Sequence, residues 1–170
     1  MIVLETERLV LRRQTTADAS FILTLMNDPD WIRNIGDKGI RSVADAEDYI
    51  RNVPLASYDR FGHGFYLMAL KDGGAPIGIC GLAKRDFMED ADIGYALMPA
   101  YRGKGYAYEA SAGVLDYARS ALGMNRVAAI TAPDNEASAN LLRKLGLREE
   151  GLIPFGNSEE QVRLFAIRFG

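Results

Sequence analysis

The stretch ADIGYALMPAYRGKGYAYEA, residues 91–110, predicts a strand, a tight loop and a helix in direct succession. Its first part, ADIGYALM, predicts a strand, and Pro99 ends it because proline cannot donate a ladder hydrogen bond. Gly103 and Gly105 then allow the unusual backbone dihedral angles that a tight loop requires. The helical pattern begins near Gly105 or Tyr106, so the loop leads directly into the first turn of a helix.

Two cations, Arg102 and Lys104, lie in this loop beside the start of the predicted helix. The first amides of a helix lack backbone acceptors and carry a partial positive charge, so a phosphate or pyrophosphate would fit there. The loop matches neither the Walker pattern G-x-x-x-x-G-K-S/T nor the dinucleotide pattern G-x-G-x-x-G, since Tyr108 stands at the last glycine of the latter. An ordinary glycine-rich turn is the alternative interpretation.

The composition predicts one globular domain, residues 1–170, with a core of ordinary size. The formal charge of −3, from 20 Lys and Arg against 23 Asp and Glu, provides no basic excess for a nucleic-acid partner. One cysteine, Cys80, and one histidine, His63, predict no metal site. No apolar run approaches the ~18 residues of a membrane span, so we expect no membrane association and a cytoplasmic location.

Periodicity along the rest of the chain predicts further strands and helices in a mixed order. Strands are predicted in RLVLRR, FYLMALK, APIGICGLAKR, ADIGYALM, RVAAITA, REEGLI and QVRLFAIRF. Helices are predicted in TTADASFILTLMND, SVADAEDYIRN, GYAYEASAGVLDYARSAL and DNEASANLLRKLGL. The segment DPDWIRNIGDKG, residues 28–39, is predicted to be an irregular loop.

This element order predicts the fold class α/β (α+β). Short hairpin connections favour antiparallel pairing, whereas the crossover through the helix of residues 105–121 forces one parallel pair. We therefore expect a mixed, mostly antiparallel sheet of six or seven strands, with about four helices distributed over both faces.

Arg102, Gly105 and Ala107 match the pattern Q/R-x-x-G-x-G/A, which resembles the cofactor motif of the GCN5-related N-acetyltransferase (GNAT) superfamily. The stretches TERLVLRR, ADIGYALMPAYRGKGYAYEA and APDNEASANLLRKLGL resemble its RimJ/RimL-like branch, in the same order. The resemblance covers nearly the whole chain. It implies a GNAT fold, with a sheet that splays between its central parallel strands, and acetyl-CoA as the cosubstrate.

The resemblance also implies how acetyl-CoA is held. The pyrophosphate would sit on the loop amides of residues 102–107, and the pantetheine arm would pair with the backbone of Leu97 and Met98 like an added strand. Asn135 matches a family asparagine near the pantetheine, and Lys144 either reaches the 3′-phosphate or is solvated surface charge. The implied cofactor-binding residues are Leu97, Met98, Arg102, Gly103, Lys104, Gly105, Tyr106, Ala107, Asn135, Ser138, Asn140 and Lys144.

Acetyl transfer to an amine needs a proton acceptor, and the leaving thiolate can use a proton donor. The resemblance makes Ser138 the candidate acid, because Leu142 stands where many branches carry a tyrosine. The alternative is no acid at all, since a thiolate of pKa ~8.5 is a tolerable leaving group. Asp92 stands where this branch often has glutamate and is the candidate base, acting directly or through water. Glu89 is the second candidate, with turn solvation as the alternative.

The resemblance implies direct transfer of an acetyl group to a primary amine, either a protein N-terminus or a small amine metabolite. Cys80 is expected to be a packed residue and not an acyl carrier. In this fold residues 28–39 usually wall the acceptor site. The alternative function, motivated by Leu142 and Asp92, is an acyl-CoA-binding protein that has lost catalysis. Homodimers are common among similar proteins, and no feature of the sequence specifies a dimer surface.

Overall fold

The computed structural model describes all 170 residues and contains eight strands and six α-helices. The strands are β1 (Ile2–Glu5), β2 (Leu9–Arg13), β3 (Phe65–Leu70), β4 (Pro76–Ala83), β5 (Asp92–Leu97), β6 (Arg126–Thr131), β7 (Arg148–Pro154) and β8 (Gln161–Arg168). The helices are α1 (Ala19–Met26), α2 (Pro29–Asn34), α3 (Val43–Ile50), α4 (Ala56–Phe61), α5 (Tyr106–Ser120) and α6 (Glu136–Lys144).

One sheet contains every strand, in the order β1-β2-β3-β4-β5-β6-β8-β7. All neighbouring strands are antiparallel except β5 and β6, which are parallel because α5 carries the chain across between them. The predicted class, a mixed and mostly antiparallel sheet, is confirmed. The sheet has eight strands where six or seven were predicted, because Ile2–Glu5 folds back on β2 as an additional edge strand.

The prediction of an irregular loop at residues 28–39 was wrong for residues 29–34, whereas residues 35–39 have no regular secondary structure. Residues 29–34 form α2, whose cap is Asp28 with Pro29 in the first turn, and the Asp28 carboxylate accepts the Trp31 amide at 3.4 Å. The second predicted helix is also longer than expected. A π-helical turn, Arg51–Leu55, joins α3 to α4 without a break.

The helices cover the two faces of the sheet and bury two separate clusters. α1, α2 and α3 pack on one face, where Ile22, Trp31 and Ile50 meet Ile79 of β4. The other face packs against α5 and α6 in a larger core, whose members include Leu82, Val114, Val127, Leu142 and Phe165. Side chains alternate along β5, so Ile93 and Leu97 enter the larger core whereas Ala96 packs against the first cluster.

The two central strands diverge almost as soon as they meet. Their single register pair is Asp92 with Ala128, next to the hydrogen bond from the Ala128 amide to the Ala91 carbonyl at 2.9 Å. Beyond that point β5 stays paired with β4, and β6 stays paired with β8. The strands therefore leave a V-shaped opening in the sheet, in agreement with the splay that the resemblance implies.

Gly81 shows how tightly the centre of the sheet is packed, and it provides a test of the fold. A Cβ at this position would lie 2.1 Å from the Gly64 carbonyl oxygen and 2.7 Å from the Phe65 Cα, both backbone atoms. We expect Gly81→Ala to lower the free energy of unfolding by about 1–3 kcal/mol, as overpacking does. Urea denaturation measures the change. Gly170→Ala is the control because nothing lies within 4 Å of it, and an unchanged midpoint for Gly81→Ala would contradict the register.

Candidate functional site

The loop between β5 and α5 forms a row of unpaired amides. Gly103 and Gly105 have φ angles of 75° and 85°, in the left-handed region that glycine adopts without strain. The amides of Gly103, Lys104 and Gly105 make no hydrogen bond, and the first bond of α5 runs from the Glu109 amide to the Gly105 carbonyl. The loop is exposed at the positive end of the helix dipole, so it can accept an anion.

Arg8, in the turn between β1 and β2, holds this loop in place. Its Nη1 donates to the Lys104 carbonyl at 3.1 Å, its Nε donates to Glu109 at 2.7 Å, and its guanidinium lies 4.3 Å from the centre of the Tyr106 ring. Burial raises the pKa of Glu109, but the bonds from Thr6 and Arg8 outweigh that effect and lower it overall. No local pattern in the sequence predicts this role of Arg8. The only available signal was the stretch TERLVLRR that contains it.

Arg102 connects the loop to α2 and is not free to bind a phosphate. Its Nη2 donates to Asp28 at 2.7 Å and to the Leu97 carbonyl at 2.9 Å, and its Nη1 donates to Asp30. The backbone amide of Arg102 is also hydrogen-bonded, because it donates to the Pro99 carbonyl at 3.2 Å in a 3-10 turn. Of the predicted loop amides, that of Arg102 is therefore unavailable, and the side chain positions the loop.

The opening between β5 and β6 exposes one edge of β5. The Met98 amide donates to the Ile77 carbonyl at 2.9 Å, so it points toward β4 and away from the opening. Successive amides of a strand point to opposite edges, and the Leu97 amide accordingly points toward the opening. Leu97 and Met98 are the two positions expected to pair with a pantetheine arm. Only the Leu97 amide points toward the opening.

α6 forms the other wall of the opening. The Asn135 side chain caps this helix and accepts the Ser138 amide at 3.2 Å. The Ser138 hydroxyl lies beside the phenol of Tyr95, which comes from β5. Burial raises the pKa of Tyr95, and the contact with Ser138 opposes that rise. The structure thus brings Asn135 and Ser138 together with Tyr95, a residue that the sequence analysis did not select.

The two remaining cofactor candidates lie further along α6. The Lys144 ammonium is 4.4 Å from the centre of the Tyr108 ring, which belongs to the first turn of α5. The Asn140 side chain accepts a hydrogen bond from Arg143 at 3.1 Å. Lys144 thus contacts α5, whereas Asn140 has a partner on its own helix.

Asp92 is deeply buried at the point where β5 and β6 diverge. Its side chain is 4% exposed, and one carboxylate oxygen accepts the Arg85 Nε at 2.6 Å. Burial raises the pKa of Asp92, while the Arg85 guanidinium and the nearby Ile130 amide oppose the rise. The carboxylate is paired and not freely accessible, so a proton would reach it through a water more readily than by direct contact.

Glu89, the second candidate base, lies in a different place from Asp92. It lines a cavity of about 770 Å³ at the ends of the central strands, together with Lys84, Asp90 and Arg126. The Asp90 carboxylate accepts the Arg126 Nε at 2.8 Å. His63 lines the same cavity, and burial lowers the pKa of its imidazole. The structure therefore does not bring the two candidate bases together.

Neither a metal cluster nor a membrane span is among the features of the structure. No group of three or more His, Cys, Asp or Glu side chains could hold a metal ion. None of the helices is both long enough and apolar enough to cross a membrane.

Comparison with known sequences places this site in a family. The family described as "Acetyltransferase (GNAT) domain" matches residues 8–148. The chain is 33% identical over 153 residues to YoaA of Bacillus subtilis (strain 168), named as an uncharacterized N-acetyltransferase, covering 89% of this chain and 85% of the relative. It is 32% identical over 154 residues to p20 of Bacillus licheniformis, also named as an uncharacterized N-acetyltransferase, covering 90% and 86%.

Solved structures show the same fold. A GNAT-family acetyltransferase from Bacillus anthracis has 25% identity and a TM-score of 0.80, with coverage of 99% of this chain and 98% of that one. RimL, the ribosomal L7/L12 alpha-N-protein acetyltransferase in complex with coenzyme A, has 16% identity and a TM-score of 0.85, with coverage of 99% and 98%. The family match and the two relatives above 30% identity show that the chain belongs to the GNAT family of acetyltransferases.

Proposed function

We propose that this protein transfers the acetyl group of acetyl-CoA directly to a primary amine, either a protein N-terminus or a small amine metabolite. The observation that carries the proposal is the adjacency of two features at the end of β5. Unpaired amides at residues 103–105 offer a site for a pyrophosphate, and the opening beside Leu97 offers a free strand edge for the pantetheine arm. Few other cosubstrates combine an anion with an amide-bearing arm in this way.

The residues of this chain divide the binding of acetyl-CoA between them. The amides of Gly103, Lys104 and Gly105 bind the pyrophosphate, supported by the dipole of α5. Tyr106 and Ala107 contribute the next amides of the helix start. Two proteins that share this fold, RimL and the microcin C7 self-immunity acetyltransferase MccE, have been solved in complex with CoA and acetyl-CoA, which supports acetyl-CoA as the cosubstrate.

The transfer step is an exchange of one acyl bond for another. The amine nitrogen attacks the thioester carbonyl carbon, a C–N bond forms and the C–S bond breaks. The amine loses one proton and the CoA sulfur gains one, so the reaction needs no further reactant. The Leu97 amide, which points into the opening, stabilises the negative charge that develops on the carbonyl oxygen.

In this proposal one side chain donates a proton and another accepts one. Ser138, with Tyr95 beside it, donates a proton to the leaving thiolate at the wall of the opening. Asp92 accepts the amine proton through an intervening water, because its carboxylate is buried against Arg85. Glu89 remains the second candidate base, acting from its separate cavity.

Thiol release tests the proposed function. We expect the purified protein to release CoA thiol from acetyl-CoA in an amine-dependent way, measured with DTNB, and to give N-acetylated products by mass spectrometry. The panel contains peptide N-termini, amino acids and small amines. The protein itself will add little background, because Cys80 is buried and burial raises the pKa of its thiol to about 12. Tight acetyl-CoA binding without thiol release from any amine would favour the alternative of an inactive acyl-CoA-binding protein.

Two matched substitutions test whether the amides of residues 103–105 bind the pyrophosphate. Gly105→Pro removes an amide and forbids the observed φ of 85°, so we expect the Kd for acetyl-CoA to rise by about tenfold or more. Gly123→Pro is the control, because Gly123 also has a left-handed φ, 67°, at the opposite end of α5. Isothermal titration calorimetry measures both. Equal Kd values for the two folded variants would contradict the site.

The role of Ser138 predicts a specific kinetic signature. Ser138→Ala keeps the amide that bonds to Asn135 and removes only the hydroxyl. We expect kcat to fall by about 10- to 100-fold with little change in KM for acetyl-CoA, a modest loss because the thiolate is a fair leaving group. Ser120→Ala, at the far end of α5, is the control. A variant with wild-type kcat across the pH range would remove Ser138 from the mechanism.

A further inference from the structure

Arg85 is a cation that uses only one of its five N–H donors in the protein. Its Nε donates to Asp92 at 2.6 Å, and its two Nη groups make no hydrogen bond to the protein. The side chain is 33% exposed, so those groups reach solvent. A guanidinium that is anchored on one edge and free on the other presents a fixed, planar pair of donors.

Aromatic side chains lie beside the Arg85 guanidinium. The Arg85 guanidinium lies 5.6 Å from the centre of the Phe155 ring, and the Phe87 ring packs edge-on against Phe155 with 5.4 Å between centres. Both phenylalanines are more than a third exposed. Tyr49 of α3 also lies near the Arg85 guanidinium. Burial raises the pKa of its phenol, and the charge of Arg85 opposes that rise. The result is a cation with aromatic side chains beside it. We call the cluster of Arg85, Tyr49, Phe87 and Phe155 the aromatic mouth.

The mouth lies at the narrow end of the opening, at the other end of β5 from Leu97. Asp92, the partner of Arg85, is the residue at which β5 and β6 diverge. Ile93 and Leu97 enter the core with α5 and α6, so alternation along β5 directs the Asp92 side chain to the face of α1, α2 and α3, where Arg85 binds it. A molecule bound at Arg85 would therefore approach the opening from the face opposite the two helices that flank the cofactor loop.

From this arrangement, and resting on the proposed function, we propose that the acceptor is an α-amino acid whose carboxylate binds the free edge of Arg85 and whose apolar side chain contacts Phe87 and Phe155. A carboxylate matches the two free donors in a bidentate pair. The amine of an α-amino acid is only two bonds from its carboxylate carbon, so this contact holds the amine near Asp92. A peptide N-terminus lacks that carboxylate and fits this mouth less well.

Matched acceptors test the charge requirement directly. L-Phenylalanine, L-phenylalaninamide, phenethylamine and the dipeptide Phe-Ala share a side chain and differ at the carboxylate. We expect kcat/KM for phenylalanine to exceed that of the amide and of phenethylamine by about 10- to 100-fold, the range for a charged bidentate pair. An equal or greater kcat/KM for the amide, phenethylamine or Phe-Ala would overturn the inference and leave the proposed acetyl transfer standing.

Variants at Arg85 assign the preference to this residue. Arg85→Lys keeps a cation beside Asp92 but loses the planar fork, and we expect the ratio of kcat/KM for phenylalanine to that for its amide to fall about tenfold. Arg119→Lys is the control, an arginine paired with Asp116 on the outer side of α5. The double variant Arg85→Gln/Asp92→Asn avoids an unpaired buried carboxylate but removes the proposed base, so its preference is measured by equilibrium binding of N-acetyl-L-phenylalanine and its amide, and that preference should be lost. Retention of the wild-type preference in both Arg85 variants would overturn the inference.

A binding measurement keeps the inference testable when turnover is absent. Calorimetric titration of the CoA-saturated protein compares N-acetyl-L-phenylalanine with N-acetyl-L-phenylalaninamide. We expect tighter binding of the acid by about tenfold or more, and loss of the difference in Arg85→Lys. Selective binding of the acid without any turnover would count against the proposed function alone. Equal binding of the two compounds would count against the Arg85 site.

Discussion

The separation of β5 from β6 is the constraint on which the rest of the structure depends. The two strands share one register pair, Asp92 with Ala128, while each keeps a full ladder with its other neighbour. A parallel pair at the centre of a sheet would ordinarily be covered and continuous. Here the free edge of β5 instead provides unpaired backbone groups that a ligand can satisfy, because buried polar groups left without partners are costly.

The residues around this divergence serve more than one purpose. Asp92 sits at its apex, and Arg85 neutralises the buried charge that would otherwise be costly. Arg102 joins the far end of β5 to the cap of α2, through Asp28 and the Leu97 carbonyl. Both ends of β5 are therefore fixed by arginine–carboxylate pairs, and both pairs connect the opening to the face that carries α1, α2 and α3.

The sequence predicted those parts of the fold and site that arise from local patterns. The strand, glycine loop and helix of residues 91–110 have strong signals in proline, glycine and helical periodicity, and they fold as expected. The helix α2 has only six residues, too short for periodicity to reveal, although Asp28 and Pro29 form a cap and first turn. Contacts between distant segments could not be predicted. The partners of Arg102, Ser138 and Arg85 are set by the packing of the sheet and helices and not by spacing along the chain.

The contact of Arg8 with the amide loop has a consequence for how the protein acquires its site. Arg8 and Glu109 are 101 positions apart, so their bond closes a loop that includes most of the sheet. Contacts of such long separation form late, since the chain must first lose the conformational entropy of everything between them. The shape of the amide loop is therefore a property of the finished tertiary structure, and a fragment that contains only the glycine loop and its helix would carry the motif without that shape.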